Sequence, residues 1–245
     1  MAALNWQIAT VSAVRDETPH VKTLSLLVPA WQRHRPGQHV DIRLTAEDGY
    51  QAQRSYSIAS APTEQPVIDL TVERVADGEV SPFLHDELVV GDRFEVRGPI
   101  GGYFVWDGGT ADPLLLVAGG SGVVPLMAMI RHRSQIGASV TCTLLYSSRT
   151  PEDIVYADEL GRLSGRDDGL RVVHALTRVQ PAGGTGYSRR IDMRMLGEVL
   201  EGTGRKAQAF VCGPTPLVES VAEALVNLDL APGQVRTERF GPTGG

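Results

Sequence analysis

The sequence predicts two domains of different architecture. An N-terminal six-stranded antiparallel β-barrel of Greek-key type is expected over residues 1–108, and a C-terminal α/β domain with a five-stranded parallel sheet over residues 109–245. Three observations lead there. Short alternating apolar runs, separated by Gly, Pro and Asp, fill the first half. A continuous apolar run, LLLVA at 114–118, opens the second half and stops in glycines. From that point strand-like and helix-like stretches alternate, the rhythm of right-handed βαβ units on a parallel sheet.

In the barrel half, HVDIRL (39–44) places Val40, Ile42 and Leu44 on one face. VIDLTVERV (67–75) does the same with Ile68, Leu70 and Val72, and RFEVRG (93–98) with Phe94 and Val96. Turn signals stand between them at Pro36-Gly37, Asp48-Gly49, Asp77-Gly78 and Gly91-Asp92. SPFLHDEL (81–88) predicts one short helix, with Ser81 as N-cap and Pro82 in its first turn. The segment RSYSIAS (54–60) follows a strand-like run. If the strand continues through it, Arg54 and Tyr56 share one face while Ser55 and Ser57 share the other.

The domain boundary is expected near 108–113, after which LLLVA reads as a strand buried on both faces. A helix follows at about 123–135, then strand 140–146, a helix through PEDIVYADELGRL (151–163) and strand 170–177. The pattern continues with a helix near 191–201, strand 207–212, a helix near 216–228 and strand 234–240. PAGGTGYS (181–188) reads as the most flexible loop.

Composition narrows the function classes. The net charge of −6 argues against a general nucleic-acid binder. No apolar run is long enough for a membrane span, and MAALNWQIAT lacks the pattern of a secretory signal, so a cytoplasmic protein is expected. The two cysteines, Cys142 and Cys212, lie in apolar strand-like runs without metal-ligand spacing. His39 and His85 have no partner spacing for a metal or a nucleophile and read as structural; Asp153, Asp158 and Glu159 read as a solvated helix face. A Gly-x-Ser-x-Gly elbow is absent, which leaves a hydrolase unsupported.

The turn AGGSGVVP (118–125) lies between the first parallel strand and its helix. There Gly120 and Gly122 would let a pyrophosphate approach the backbone, although Pro125 replaces the third glycine of the usual fingerprint. The second strand ends in Ser147, Ser148 and Arg149, where NAD-binding sheets carry an acid, and the third ends in Thr177 and Arg178. Hydroxyls and guanidinium groups suit a 2′-phosphate, which favours NADPH over NADH.

Taken together and in order, RSYS, DGEVS (77–81), GPIGGYF (98–104), GGSGVVP and FVCGP (210–214) resemble the motifs of the ferredoxin–NADP reductase family of flavoproteins. The resemblance covers nearly the whole chain. It implies an FAD-binding barrel, an NADP-binding α/β domain, and hydride transfer from NADPH to flavin. It gives Arg54 the flavin diphosphate, Tyr56 the isoalloxazine or ribityl chain, and Ser57 a hydrogen bond near the reactive flavin nitrogen. Thr71, Val72 and Glu73 would line the flavin edge, largely through backbone, and Gly78, Val80 and Ser81 would serve the diphosphate. Ser121 would lie where flavin and nicotinamide meet, with Cys212, Gly213 and Pro214 bordering the nicotinamide. Ser57, Tyr56 and Cys212 are thereby the catalytic candidates, and Phe240 is a candidate cover for the flavin, although GPTGG follows it.

Many relatives carry an iron–sulfur or haem module in the same chain. None is legible here, so the expected acceptor is a separate protein: a ferredoxin feeding an oxygenase or a cytochrome P450. The alternatives are a flavin reductase or diaphorase acting on small molecules, an electron-transfer subunit (whose C-terminal cysteine cluster is missing), and a non-catalytic flavin- or nucleotide-binding module.

Overall fold

The computed structural model describes residues 4–179 and 186–240. It divides into two compact units, one of residues 1–107 with 127–135 and one of residues 108–126 with 136–245. The first unit is built on β1 (Gln7–Thr18), β2 (Val21–Leu27), β3 (His39–Thr45), β4 (Gln51–Ser57), β5 (Val67–Glu73) and β6 (Arg93–Ile100). Their order in the sheet is β4-β3-β6-β1-β2-β5, every neighbour pair antiparallel. β6 returns to lie between β1 and β3, which makes the connection Greek-key.

The barrel core follows the alternation read from the sequence. Val40, Ile42, Ile68, Leu70, Val72 and Val96 are fully buried, Phe94 nearly so, and Leu44 packs against them. One outward position breaks the pattern. Asp41 is buried on the far side of β3, where it accepts hydrogen bonds from Ser55 Oγ at 2.7 Å and Arg97 Nη2 at 2.6 Å. Trp6 lies beneath the Arg43 and Arg97 guanidinium groups, at 4.2 and 4.8 Å, and Arg43 also pairs with Glu95. Burial pushes the Asp41 carboxyl up, but its bonds to Ser55 and Arg97 outweigh that and hold it below the usual carboxylate range.

The second unit carries β7 (Leu114–Gly119), β8 (Cys142–Ser148), β9 (Leu170–Leu176), β10 (Gln208–Pro214) and β11 (Val235–Phe240), with α2 (Ala157–Ser164), α3 (Met193–Thr203) and α4 (Thr215–Asn227); α1 (Val123–Gln135) starts in it, and residues 127–135 of that helix group with the first unit. The all-parallel order is β11-β10-β7-β8-β9. The chain builds outward from β7 on one side, then crosses to build β10 and β11 on the other, so the topology switches between β7 and β10. Strands β7 and β8 are buried along their whole length: β7 is an uninterrupted apolar run, while β8 also buries Thr143, Ser147 and Ser148.

Four expectations change. The helix expected through 151–163 is broken: Thr150 and Asp153 close a short 3₁₀ turn, and Tyr156 takes a left-handed backbone (φ 62°) before α2 begins. Asp153 therefore caps that turn and does not sit on a helix face. The short helix at 81–88 becomes a five-residue π-helical turn, Phe83–Glu87, without a side-chain cap; the Ser81 hydroxyl instead accepts the Val75 N–H at 3.0 Å. Of the loop expected at 181–188, residues 181–185 lie outside the described residues, as does the GPTGG tail, but Tyr187 is tied to β9 by backbone bonds with His174 and Leu176.

The glycines of the β7–α1 turn do different work. A Cβ on Gly122 would sit 2.2 Å from the Cys212 carbonyl oxygen, so this glycine allows the turn to rest against the end of β10. Gly120 has φ +55° and open space where a Cβ would go. We expect Gly122→Ala to cost roughly 2–4 kcal/mol, because backbone must move. Gly120→Ala should cost only about 1 kcal/mol, for its left-handed backbone. Urea unfolding of both variants checks the order; equal costs would contradict it.

Candidate functional site

In the first unit the candidate site is a seam in the barrel wall. Strands β4 and β5 would have to pair to close the barrel. Among the described residues that pairing is confined to the bridge Ile58–Leu70 and the bond from Ala59 N–H to the Asp69 carbonyl. On either side of this splay stand the segments read from the sequence: Arg54, Tyr56 and Ser57 at the end of β4, and Thr71, Val72 and Glu73 at the end of β5. Val72 is fully buried in the core, so only its backbone can meet a ligand. Thr71 is buried with its hydroxyl 2.8 Å from that of Thr23.

Register sets the side-chain directions. Tyr56 lies opposite Val40 and Arg54 opposite Ile42, so both share the inward face; Ser57 lies opposite His39 on the outward face. Tyr56 packs against the barrel core, and burial pushes its phenol far above the ordinary value. It is a neutral hydrogen-bonding group at any working pH. Arg54 reaches toward solvent, where Nη2 donates to Glu79 Oε2 at 2.8 Å; the Tyr50 hydroxyl donates to the other oxygen of the same carboxylate at 2.5 Å. Glu79 belongs to the DGEVS turn, in which Gly78 and Ser81 are so close that a Cβ on Gly78 would lie 2.9 Å from Ser81 Oγ. Val80 is fully buried. Sequence reading passed over Tyr50 and Glu79. The odd acidic residue inside DGEVS was the available signal.

In the second unit the site is the carboxyl end of β7 and β10, at the switch point, where open α/β sheets bind ligands. The exposed Gly120 backbone, Ser121, Cys212, Gly213 and Pro214 gather there. Glu238 joins them: it is the register partner of Cys212 on β11, and its Oε2 is buried with no hydrogen-bond partner among the described residues. Burial raises its carboxyl to about 7. Burial first, and Glu238 second, push the Cys212 thiol well above its usual value. Glu238 was missed because its environment depends on which strands are neighbours, and local sequence does not show that.

One strand further out, β8 and β9 end side by side. Thr177 and Arg178 donate backbone N–H bonds to the carbonyls of Ser148 and Arg149, at 3.0 and 2.9 Å. Ser147 and Ser148 are buried, and Ser148 Oγ has no partner among the described residues. Arg149 and Arg178 are exposed and form no ion pair among the described residues. Two guanidinium groups on adjacent strand ends, without an ion pair among the described residues, are a candidate anion site.

Of the other candidates, His85 bonds Asp86 at 2.8 Å and His39 is kept neutral by burial, as structural residues. Cys142 is core. Among the described residues no cluster of three or more His, Cys, Asp or Glu could hold a metal, and no helix is long and apolar enough to cross a membrane.

Known proteins share these features. Residues 9–105 match the oxidoreductase FAD-binding domain, and residues 116–223 the oxidoreductase NAD-binding domain. The chain is 35% identical over 238 residues to ferredoxin–NADP reductase B of Sorangium cellulosum, covering 95% of this chain and 96% of that protein. It is 33% identical over 234 residues to the glycine betaine monooxygenase reductase subunit of Pseudomonas aeruginosa, where the match covers 94% of this chain but 63% of the relative. Among solved structures, an Amycolatopsis cytochrome P450 reductase superposes with a TM-score of 0.86 at 26% identity, over 100% of this chain and 72% of that one. With an FAD-binding barrel, an NAD-binding parallel sheet and a full-length relative at this identity, the chain belongs to the ferredoxin–NADP reductase family of flavoprotein oxidoreductases.

Proposed function

We propose that this chain is the NADPH-dependent reductase of a multicomponent electron-transfer system. FAD, when bound, would supply two-electron acceptance from reduced nicotinamide and one-electron release to a separate acceptor protein, such as a ferredoxin serving an oxygenase or a cytochrome P450. NADH is the weaker donor in this reading, and the cytoplasm is the compartment, where the buried free thiols of Cys142 and Cys212 stay reduced. The observation that carries the proposal is the switch point of the parallel sheet, where the open Gly120 backbone, Cys212–Pro214 and the half-buried Glu238 carboxyl converge.

The residues present fit both cofactors. The β4–β5 splay leaves the two strand ends without a ladder between them, an opening where a flavin could lie, and Arg54 offers a fork of donors suited to its diphosphate. Tyr56, fixed by the core and neutral, serves as the flat aromatic neighbour, and Ser57 as the small donor beside the ring. Thr71 to Glu73 act through backbone, Val80 likewise, and Gly78 and Ser81 shape the turn beneath the diphosphate. In the other unit, Gly120 admits the nucleotide pyrophosphate, while Gly122 serves packing. Ser121, Cys212, Gly213 and Pro214 border the nicotinamide. Cys212 is a protonated thiol in this role, because its raised pKa rules out a standing thiolate. It orients the nicotinamide by shape. Arg149 and Arg178, supported by Ser147, Ser148 and Thr177, hold the 2′-phosphate.

The direct test is purified protein with NADPH. Bleaching of the flavin's visible absorption, and cytochrome c reduction that requires added ferredoxin, are expected. Protein that binds no flavin, or that reduces small acceptors at a rate indifferent to ferredoxin, refutes the assignment. Arg149→Glu or Arg178→Glu should raise KM for NADPH about tenfold or more while changing KM for NADH little. Equal effects on both would remove the 2′-phosphate assignment. Glu238 gives a pH test. Its folded pKa of about 7 lies above the ordinary carboxylate value, so the folded state holds a proton that the unfolded chain releases at lower pH. This group therefore subtracts stability as pH rises toward 7, and the loss is complete above it. Glu238→Gln should be more stable than wild type at pH about 8, by roughly 3 kcal/mol, and nearly equal at pH about 4. Thermal melts at the two pH values measure the difference.

A further inference from the structure

We propose that Glu79 is an internal competitor for the flavin phosphates, a carboxylate that occupies the Arg54 fork until the dinucleotide displaces it. The inference rests on the assignment of Arg54 to the flavin diphosphate and adds a regulatory group to that site.

The geometry is specific. One carboxylate bridges two donors from different places in the barrel: the Arg54 guanidinium on β4, and the Tyr50 hydroxyl in the turn before it. The remaining guanidinium nitrogen with a bond, Nη1, donates to the adjacent Gln53 carbonyl at 2.6 Å. The carboxylate is thus presented to Arg54 much as a phosphate oxygen would be. Its own ionised form is favoured by the bond from Tyr50 and by Arg54, so it is an anion throughout the neutral range. The pair is exposed, with side-chain exposures of 39% and 46%, and Glu79 sits in a turn of the chain rather than in a strand. An exposed pair of this kind is weak enough for a doubly charged ligand to break.

Competition of this kind lowers the apparent affinity of every anion for Arg54 by the same factor. A tightly held dinucleotide tolerates that loss. Free phosphate and other small anions, which bind weakly to a single guanidinium, are excluded at ordinary concentrations. Tyr50 steadies the competitor, since its hydroxyl holds the second carboxylate oxygen.

The test is titration of flavin-stripped full-length chain with FAD, FMN and riboflavin, followed by flavin fluorescence. Glu79→Gln keeps the shape and removes the charge. It should tighten FAD and FMN by about three- to tenfold and leave riboflavin, which has no phosphate, unchanged. Tyr50→Phe should shift FAD in the same direction by less. Arg54→Gln should weaken FAD and spare riboflavin. If Arg54→Gln weakens FAD while Glu79→Gln leaves it unchanged or weaker, the competitor role is wrong and the diphosphate assignment stands. If Glu79→Gln tightens all three flavins alike, the effect is not on the phosphates and the role is again wrong. If Arg54→Gln has no effect on FAD, the diphosphate assignment fails and the competitor role fails with it.

Discussion

The contact between the β7–α1 turn and the end of β10 governs the second unit. Here backbone meets backbone: Gly122 against the Cys212 carbonyl, and Gly213 against Gly119, where a Cβ on Gly213 would fall 3.2 Å from the Gly119 nitrogen. Only glycines allow two strand ends and a helix start to come this close. The closeness brings Cys212 and the turn to one place at the switch point, and β11, paired to β10 in register, then delivers Glu238 beside Cys212. In a motif that looks like a phosphate cradle in sequence, Gly122 is thus a packing joint. Gly120 alone keeps its backbone open to solvent.

The barrel's site depends on the opposite condition, an absence of close pairing. A complete β4–β5 ladder would have used the strand-end backbone of Ser57 and Thr71 for itself. The splay past Ile58–Leu70 leaves that ladder unformed among the described residues, and register against β3 turns Arg54 and Tyr56 inward.

Much of this was legible in the chain. Period-two alternation set the core face of β3, β5 and β6, because a buried strand face admits few polar side chains. An uninterrupted apolar run identified β7 as an interior strand. The segments proposed for flavin and nucleotide stood out because they carry unusual local residues: glycines in a strand-to-helix turn, arginines at strand ends. What stayed hidden depends on neighbours distant in sequence. The carboxyl environment of Glu238 is created by β10, and the ion pair of Glu79 by Arg54, which lies 25 positions earlier. The broken helix at 151–163 was missed because helical propensity was read without the Thr150–Asp153 cap and the left-handed Tyr156 that end the first turn early. Asp41 is a polar residue in an otherwise apolar strand, and only the partners Ser55 and Arg97, on β4 and β6, make its burial affordable.

The splayed wall also bears on how the chain behaves before it matures. Strand margins with free N–H and C=O groups are templates for strands from other molecules. On the proposed reading, a flavin seated along β4 and β5 would cover them. Cofactor supply during synthesis would then set how much newly made protein escapes sticking to its own kind, so expression under riboflavin limitation is a question of colloidal behaviour as well as of activity.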